Sequence, residues 1–219
     1  MSQSRPQNWA MVGSAPASQA VWGIKEISFP SGYCLPTPAV AETGAPLIRS
    51  KEAQNIHLMG GLALEIGKRG FKVDKDSAGS YIAGLKPWIG LYGDFVLSDL
   101  SARKGHSITM WDRGVDVFYG LWLESSHSFG TLIPWVECKA LLSSKVSLSE
   151  DSRECSTVPA SDYFYPPESI VPFMTSFLTL DPGDTFILGP LVSAKLSPGA
   201  TSATVKIGAL THTVSIVNG

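Results

Sequence analysis

The sequence predicts a β-rich α+β fold with a few short helices, and its carboxyl-terminal part gives the clearest indication. Residues 177–189 run from a predicted helix through a Pro-Gly turn at 182–183 into an apolar strand. A second Pro-Gly turn at 198–199 precedes two alternating stretches, residues 203–207 and 211–217. Proline presets φ at the first corner of such a turn, and glycine accepts the positive φ of the second. The end of the chain is therefore predicted to be a strand–turn–strand unit closed by a hairpin.

The remaining strands follow from apolar patterns. Residues 56–67 form the longest such run, and it ends in glycine. Residues 30–50 are rich in proline and glycine, which allows short edge strands at most. The other predicted strands are residues 10–12, 20–25, 121–123, 132–138 and 145–148.

Two helices and one long loop complete the predicted elements. Residues 73–84 read as a short helix, with Asp74 or Asp76 as the N-cap and Gly84 as the C-cap. Residues 150–161 are polar and are predicted to be a loop. Residues 167–178 are predicted to be a helix that starts at a pair of prolines.

Length and composition indicate one compact domain. The chain has 219 residues, of which 44% are hydrophobic and only 16% charged, which is typical of a folded core or a subunit interface rather than disorder. We expect a flexible N-terminal segment over residues 1–20 and a single domain over residues 21–219.

Charge and cysteine content narrow the expected partners. A formal net charge of −2 gives no electrostatic footprint for nucleic acid, and no apolar run is long enough to span a bilayer. The first residues lack the apolar core of a signal peptide. Three widely spaced cysteines, Cys34, Cys138 and Cys155, read as free thiols. We therefore expect a cytoplasmic protein that contacts neither nucleic acid nor membrane.

Several motifs together resemble one enzyme family. The segment Leu-Asp-Pro-Gly-Asp at 180–184, ending at Gly189, resembles the carboxyl-terminal signature of the fumarylacetoacetate hydrolase superfamily. Residues 62–68 and 81–84 resemble its "E-L-A-x-V-I-G-K" and "Y-V-A-G" segments at the family's spacing, and residues 111–118 resemble "K-G-F-D-T-F". The resemblance covers residues 20–219. It implies a mixed β-sandwich roll with few helices, and a homodimer.

The resemblance also implies a divalent-metal site, at which this sequence departs from the family. Family members typically bind Mg²⁺ or Mn²⁺ through two glutamates of an "E-x-E" strand and a later aspartate. The two glutamate positions correspond to Met59 and Gly61, which supply no anionic oxygen. The aspartate position falls at Gly90 in a gapless alignment, or at Asp99 if an insertion is allowed. We expect no metal and no other cofactor, with Asp99 a ligand only in the shifted alignment.

Other polar residues are candidates for chemistry. Glu65 and His57 share the side of the strand that carries Met59 and Gly61, because alternate residues of a strand face the same way. Glu65 is either a structural charge paired with Arg113 or Lys25, or a relocated acid/base. The histidines at 106, 127 and 212 are predicted to be surface or loop residues. The predicted catalytic residues are Glu65, Arg113, Asp112, Asp116 and His57. The predicted substrate-binding residues are Lys25, Trp88, Tyr92, Trp111 and Pro190.

Two functions remain open at this point. The first is a metal-independent enzyme of the isomerase, cyclase or lyase type, acting on a conjugated, carbonyl-rich small molecule. The second is a non-catalytic scaffold for an active family paralogue. The second is suggested by a similarity to the metal-free N-terminal half of the homoprotocatechuate-pathway isomerase/decarboxylases, which also lacks the glutamates. Clustered polar residues would favour the enzyme, and an apolar, filled pocket would favour the scaffold.

Overall fold

Two mixed β-sheets packed against each other form the body of the protein. The computed structural model describes residues 6–12, 31–94, 119–163 and 165–219. Within these residues the first sheet has the strand order β2-β1-β10-β4-β5-β6, with β11 also paired to β4 and β7 to β5. Its strands are β1 (Asn8–Val12), β2 (Ser31–Leu35), β4 (Gln54–Ile66), β5 (Ile82–Asp94), β6 (His127–Phe129), β7 (Ile133–Pro134), β10 (Thr185–Ile187) and β11 (Val192–Lys195).

The second sheet is smaller and has the order β3-β13-β12-β8-β9. Both sheets contain one parallel pair, β1 with β10 and β3 with β13, among antiparallel pairs. This arrangement confirms the predicted β-rich sandwich. The strands are β3 (Leu47–Arg49), β8 (Lys145–Glu150), β9 (Arg153–Pro159), β12 (Ser202–Ile207) and β13 (Leu210–Asn218).

The helices of the described residues are short, as the sequence predicted. Two α-helices lie wholly within these residues, α1 (Cys138–Leu142) and α2 (Ile170–Thr175), and residues 119–121 are also helical. Four are 3₁₀ helices: Thr37–Ala39, Lys75–Tyr81, Trp135–Glu137 and Pro167–Ser169.

The long strands β4 and β5 are the centre of the first sheet, and both of their faces are covered. One face of β4, including Leu58, Leu62 and Leu64, packs in the main core against residues of the second sheet such as Val205 and Leu148. The opposite face belongs to a second apolar cluster. Its buried members are Ala10, Leu35, Met59, Ala63, Trp88, Tyr92, Leu121 and Ile187. A strand covered on both sides reads as a continuous apolar run, which explains why this one was recognised from sequence.

The predicted helix at residues 73–84 is wrong in its extent. The 3₁₀ helix ends at Tyr81, the Asp74 side chain makes no capping hydrogen bond, and strand β5 begins at Ile82. Gly84 lies inside that strand instead of capping a helix. A Cβ placed there would lie 1.8 Å from the carbonyl oxygen of Ile133. The glycine is therefore required by close backbone approach of β7.

Three other local predictions are also wrong. Residues 150–161 contain strand β9, whose polar side chains suit its position at the edge of the second sheet. The predicted strand at 132–138 is only two residues long and turns into helices after Pro134. Leu121 ends a helical stretch, although residues 121–123 were predicted to be a strand.

The cysteines are free, as predicted, and the helices are short. Cys34, Cys138 and Cys155 all carry free thiols. The helices in the described part of the chain fall short of what a membrane-spanning segment requires.

Replacing Gly84 by alanine should destabilise the protein strongly. The new Cβ overlaps the Ile133 carbonyl oxygen, so β5 and β7 must move apart, and we expect the free energy of unfolding to fall by about 3 kcal/mol. Gly199→Ala is the matched control, because a Cβ placed there has no other atom within 4 Å. Its effect should stay within about 0.5 kcal/mol. Urea denaturation of both variants measures the difference, and equal stability would contradict the close approach.

Candidate functional site

The predicted site residues that the structure describes, apart from Pro190, lie along one face of β4 and β5. On β4 this face presents, in order, His57, Met59, Gly61, Ala63 and Glu65. The residues directly opposite on β5 are Tyr92, Gly90, Trp88, Lys86 and Gly84, respectively. The pairing is antiparallel and regular from His57 to Glu65. The face is therefore polar at its two ends and apolar in the middle.

The two positions that correspond to the family's glutamates are closed to a metal ion. Met59 is fully buried in the second apolar cluster, and a thioether is a poor ligand for a hard cation such as Mg²⁺. A Cβ added at Gly61 would lie 3.0 Å from both the Gly189 carbonyl oxygen and the Tyr163 hydroxyl oxygen. A longer side chain at this position has no room without displacing them. These two positions therefore offer no ligand to a hard divalent cation.

Tyr163 fills a gap in the first sheet beside Gly61. Strand β10 pairs with β4 up to Ala63, and β11 pairs with it from Gly60. Between these two pairings the Leu62 amide donates a 2.8 Å hydrogen bond to the Tyr163 hydroxyl. Burial raises the pKa of Tyr163, so its hydroxyl stays protonated. The tyrosine thus substitutes for the missing strand partner.

The connection between β10 and β11 closes the other side of this gap. The Leu188 amide donates to the Leu62 carbonyl at 3.0 Å, and the Leu191 amide donates to the Gly60 carbonyl at 3.0 Å. Gly189 adopts a φ of 90°, a conformation that glycine allows. Pro190, predicted to contact substrate, is buried in this connection. Its substrate contact stays a prediction.

Glu65 forms an ion pair with Lys86 at one end of the face. The carboxylate and ammonium groups are in direct contact, and the two side chains are 19% and 21% exposed. The Lys86 nitrogen also lies 6.0 Å from the ring centroid of Phe129. The two partners predicted for Glu65, Arg113 and Lys25, lie outside the described residues. The described partner of Glu65 is thus a lysine on the neighbouring strand.

His57 lies at the other end of the face. Its ring is 6.3 Å from that of Tyr92, and eight residues separate it from Glu65. At about 3.3 Å per residue, the two are about 26 Å apart along β4. The structure therefore does not bring these two predicted catalytic residues to one reacting atom.

The aromatic residues in the middle of the face are packed around a buried histidine. Trp88 is fully buried and Tyr92 is 2% exposed. The Trp88 indole N–H donates to His127 Nδ1 at 3.3 Å, and the two rings stack with 5.9 Å between their centroids. His127 Nε2 lies 2.8 Å from the Leu121 carbonyl oxygen. Neither aromatic side chain presents a ring face at the surface, and their contact with substrate stays a prediction.

The surface or loop position predicted for His127 is wrong. The side chain is fully buried in strand β6. Burial lowers the pKa of His127 to about 4, against a smaller opposing effect of its hydrogen bond to Leu121. A neutral ring satisfies both contacts, with Nε2–H donating to the carbonyl and Nδ1 accepting from Trp88. His212 is half-buried and lies 3.1 Å from the Ser128 hydroxyl.

Several predicted site residues cannot be placed. They lie outside the ranges that the structure describes and keep their status as predictions: Lys25, Asp99, Trp111, Asp112, Arg113 and Asp116. In the described ranges, no group of three histidine, cysteine, aspartate or glutamate side chains is arranged to hold a metal ion.

Sequence reasoning missed Lys86 and Tyr163. Lys86 is the one charged residue of the apolar segment 82–93. It is two residues from Trp88, and this spacing indicates that both lie on the same face of a strand. Tyr163 gave no local signal, because it comes from a distant segment and meets β4 only through the tertiary fold.

A surface groove of about 590 Å³ lies away from this face. It lies between α1 and the turn that joins β12 to β13, and its lining includes Val136, Leu141 and Leu210. None of the predicted site residues in the described ranges lines it.

Comparison with known proteins identifies the family of this chain. The family model described as fumarylacetoacetate (FAA) hydrolase C-terminal matches residues 10–215. No curated protein matches the sequence.

Solved structures with the same fold are distant in sequence. A fumarylacetoacetate hydrolase family protein from Yersinia pestis CO92 has a TM-score of 0.79 at 18% identity, covering 99% of this chain and 95% of its own. A fumarylpyruvate hydrolase from Pseudomonas aeruginosa, in complex with Mn²⁺ and pyruvate, has a TM-score of 0.75 at 20% identity, covering 100% and 93%. A 5-carboxymethyl-2-hydroxymuconate delta-isomerase from Mycobacterium smegmatis has a TM-score of 0.73 at 16% identity, covering 97% and 79%.

Removing the Tyr163 hydroxyl should destabilise the first sheet. In Tyr163→Phe the buried Leu62 amide loses its acceptor, and we expect the free energy of unfolding to fall by about 1–3 kcal/mol. Tyr81→Phe removes a hydroxyl from a half-buried tyrosine outside the gap and should change it by less than about 0.5 kcal/mol. Hydrogen exchange of the Leu62 amide locates the effect. Unchanged protection of that amide would contradict the assigned bond.

Acidification should destabilise the protein through His127. Its folded-state pKa of about 4 lies below the ordinary value of 6.5, so the unfolded chain binds the proton more readily between these values. Stability is therefore fully present above pH 6.5 and is lost as the pH falls towards 4. The free energy of unfolding that is lost in this way is about 3 kcal/mol.

The measurement is urea denaturation of the wild type and His127→Gln at several pH values between 7 and 4. In the variant, the free energy of unfolding should change much less with pH over this range, although the variant is less stable than the wild type at pH 7. An identical slope in both proteins would show that other groups are responsible.

Proposed function

Since the chain belongs to the fumarylacetoacetate hydrolase family, we propose that it is a small-molecule enzyme that works without the family's two-glutamate metal site. The observation that carries this proposal is the closed pair of positions on β4. Met59 is buried among apolar side chains, and Gly61 is bounded by Gly189 and Tyr163. With no anionic oxygen at either position, a divalent cation has no partners there.

The proposed substrate is a conjugated, carbonyl-rich compound. 5-Carboxymethyl-2-hydroxymuconate and fumarylpyruvate, named by two structures of the same fold, are both compounds of this kind. The partly buried Phe129 ring beside Lys86 supports a flat, unsaturated ligand.

The proposed reaction is an isomerisation, cyclisation or elimination. These reactions gain much of their rate from holding the substrate in a reactive conformation, so they need only a few polar groups. The Glu65–Lys86 pair supplies a carboxylate and an ammonium group on this face. Free thiols at three cysteines support a cytoplasmic location, and a homodimer is the proposed assembly.

A second candidate function is a scaffold subunit for an active family paralogue. The middle of the face favours it, because Met59, Ala63 and Trp88 are all fully buried. In that case catalysis takes place on the partner, and this chain contributes only surface.

The metal-independent enzyme should bind no divalent cation tightly. Calorimetric titration of chelator-treated protein with Mg²⁺ and with Mn²⁺ should show no binding in the low-micromolar range, because the two glutamate oxygens are absent. One low-micromolar site per chain would contradict the proposal.

Native mass spectrometry of untagged protein from its host distinguishes the two functions. A homodimer carrying a small co-purified ligand supports the enzyme, and turnover of that ligand in the presence of a chelator tests it directly. A stoichiometric complex with a glutamate-bearing relative supports the scaffold.

A further inference from the structure

We propose that Lys86 and Glu65 are the catalytic pair of this enzyme, with Lys86 binding an anionic substrate oxygen and Glu65 transferring a proton. This inference rests on the proposed function and names the residues that carry it out. Its basis is an ion pair whose two members each retain about a fifth of their exposure, at the edge of an otherwise apolar cluster.

The pair lies beside the two closed metal positions. Lys86 is directly opposite Ala63 on β4, and Ala63 is two residues past Gly61 on the same face. Two residues correspond to about 7 Å along a strand. A positive charge is thus present close to the place where the family pattern has its glutamates. A fixed ammonium group can neutralise an oxygen anion there without any metal.

The neighbourhood of the pair suits a flat ligand. Ala63 faces Ile187 on β10, and Ile187 faces Ala10 on β1, so small and medium-sized apolar side chains line the row next to Lys86. The Phe129 ring lies on the other side of the lysine. The side chains of Ala63, Ile187 and Ala10 are buried, so a planar ligand approaches the ammonium group along the partly buried Phe129 ring.

Partial burial strengthens the electrostatic interactions that Lys86 and Glu65 make. The attraction between opposite charges increases as water is removed. When a substrate anion replaces Glu65 as the partner of Lys86, the charge of the lysine remains compensated. Thr185, buried on β10 opposite Glu65, borders the carboxylate side. Its hydroxyl donates to the Gly183 carbonyl at 3.1 Å.

The chemical step is a proton shift with no external reactant. The Glu65 carboxylate takes a proton from a carbon next to a carbonyl, and the C–H electron pair moves into a new C=C bond. The carbonyl π electrons move onto the oxygen, which accepts a hydrogen bond from the Lys86 ammonium group. Glu65 then returns the proton to the far carbon of the conjugated system as the carbonyl re-forms. Atoms and electrons balance, and the product is an isomer.

Oxalate, a flat dianion, serves as the probe for the anion site, with chelator present throughout. Calorimetry or ligand-observed NMR compares the wild type with Lys86→Met, Glu65→Gln and the control Lys145→Gln. Lys145 is an exposed lysine of strand β8 in the second sheet.

The two members of the pair should change oxalate binding in opposite directions. Lys86→Met should weaken it about tenfold or more, because a charge-assisted hydrogen bond is lost. Glu65→Gln should strengthen it, because a competing and repelling carboxylate is removed. Lys145→Gln should have no effect. A merely structural pair would instead lower stability in both variants and leave their oxalate binding alike.

Other results overturn the assignment. Absence of oxalate binding by the wild type, or equal binding by wild type and Lys86→Met, removes Lys86 as the anion ligand. If Lys86→Met does not fold, Glu65→Gln alone tests the assignment. Unchanged or weaker oxalate binding by that variant contradicts a competition between Glu65 and oxalate for Lys86.

Turnover separates this inference from the function itself. Once the co-purified ligand is known, Glu65→Gln should lower kcat with little change in KM. If Lys86→Met converts the substrate as fast as the wild type does, the assignment of Lys86 and Glu65 as the catalytic pair is wrong, while the proposed enzyme function still stands. The predicted oxalate pattern without turnover of any ligand overturns the enzyme and leaves an anion site.

Discussion

The pairing of β4 with β5, buried on both faces, is the constraint on which the rest of the structure depends. Eleven direct pairs of residues align the two strands, and the second sheet covers one face while the second apolar cluster covers the other. Every polar group on these strands must therefore be satisfied within the fold, because water does not reach the middle. The same requirement determines what chemistry the face can carry.

Two buried polar arrangements meet that requirement in different ways. Tyr163 supplies a hydroxyl to the Leu62 amide where β4 has no strand partner. His127 accepts from Trp88 and contacts the Leu121 carbonyl oxygen, which joins β5 and β6 to the end of the helical stretch before Trp122. Each is a neutral group, so neither introduces a buried charge. The middle of the face therefore carries no charge, and the only described charges on this face lie at the end formed by Glu65 and Lys86.

The residue types at positions 59 and 61 match the packing around them. An oxygen ligand at Gly61 would need the volume that Gly189 and Tyr163 occupy, and one at Met59 would place a carboxylate in an apolar cluster. A buried carboxylate without a cation is costly, so methionine and glycine are compatible with this packing and glutamate is not. The ion pair of Lys86 with Glu65 places one positive and one negative charge near these positions.

The sequence alone determined the β-rich class, the central strand β4, the Pro-Gly turns and the family motifs, because these depend on short-range patterns and on residue types at fixed spacing. It also determined that Met59 and Gly61 cannot ligate a metal, since that follows from their chemistry. Only the tertiary structure decided that Gly84 belongs to a strand and that His127 is buried. It alone brought Lys86 to Glu65 and Tyr163 to Leu62. Such contacts join segments up to 101 positions apart in the chain, and no local pattern encodes which distant backbone or side chain will pack against a given residue.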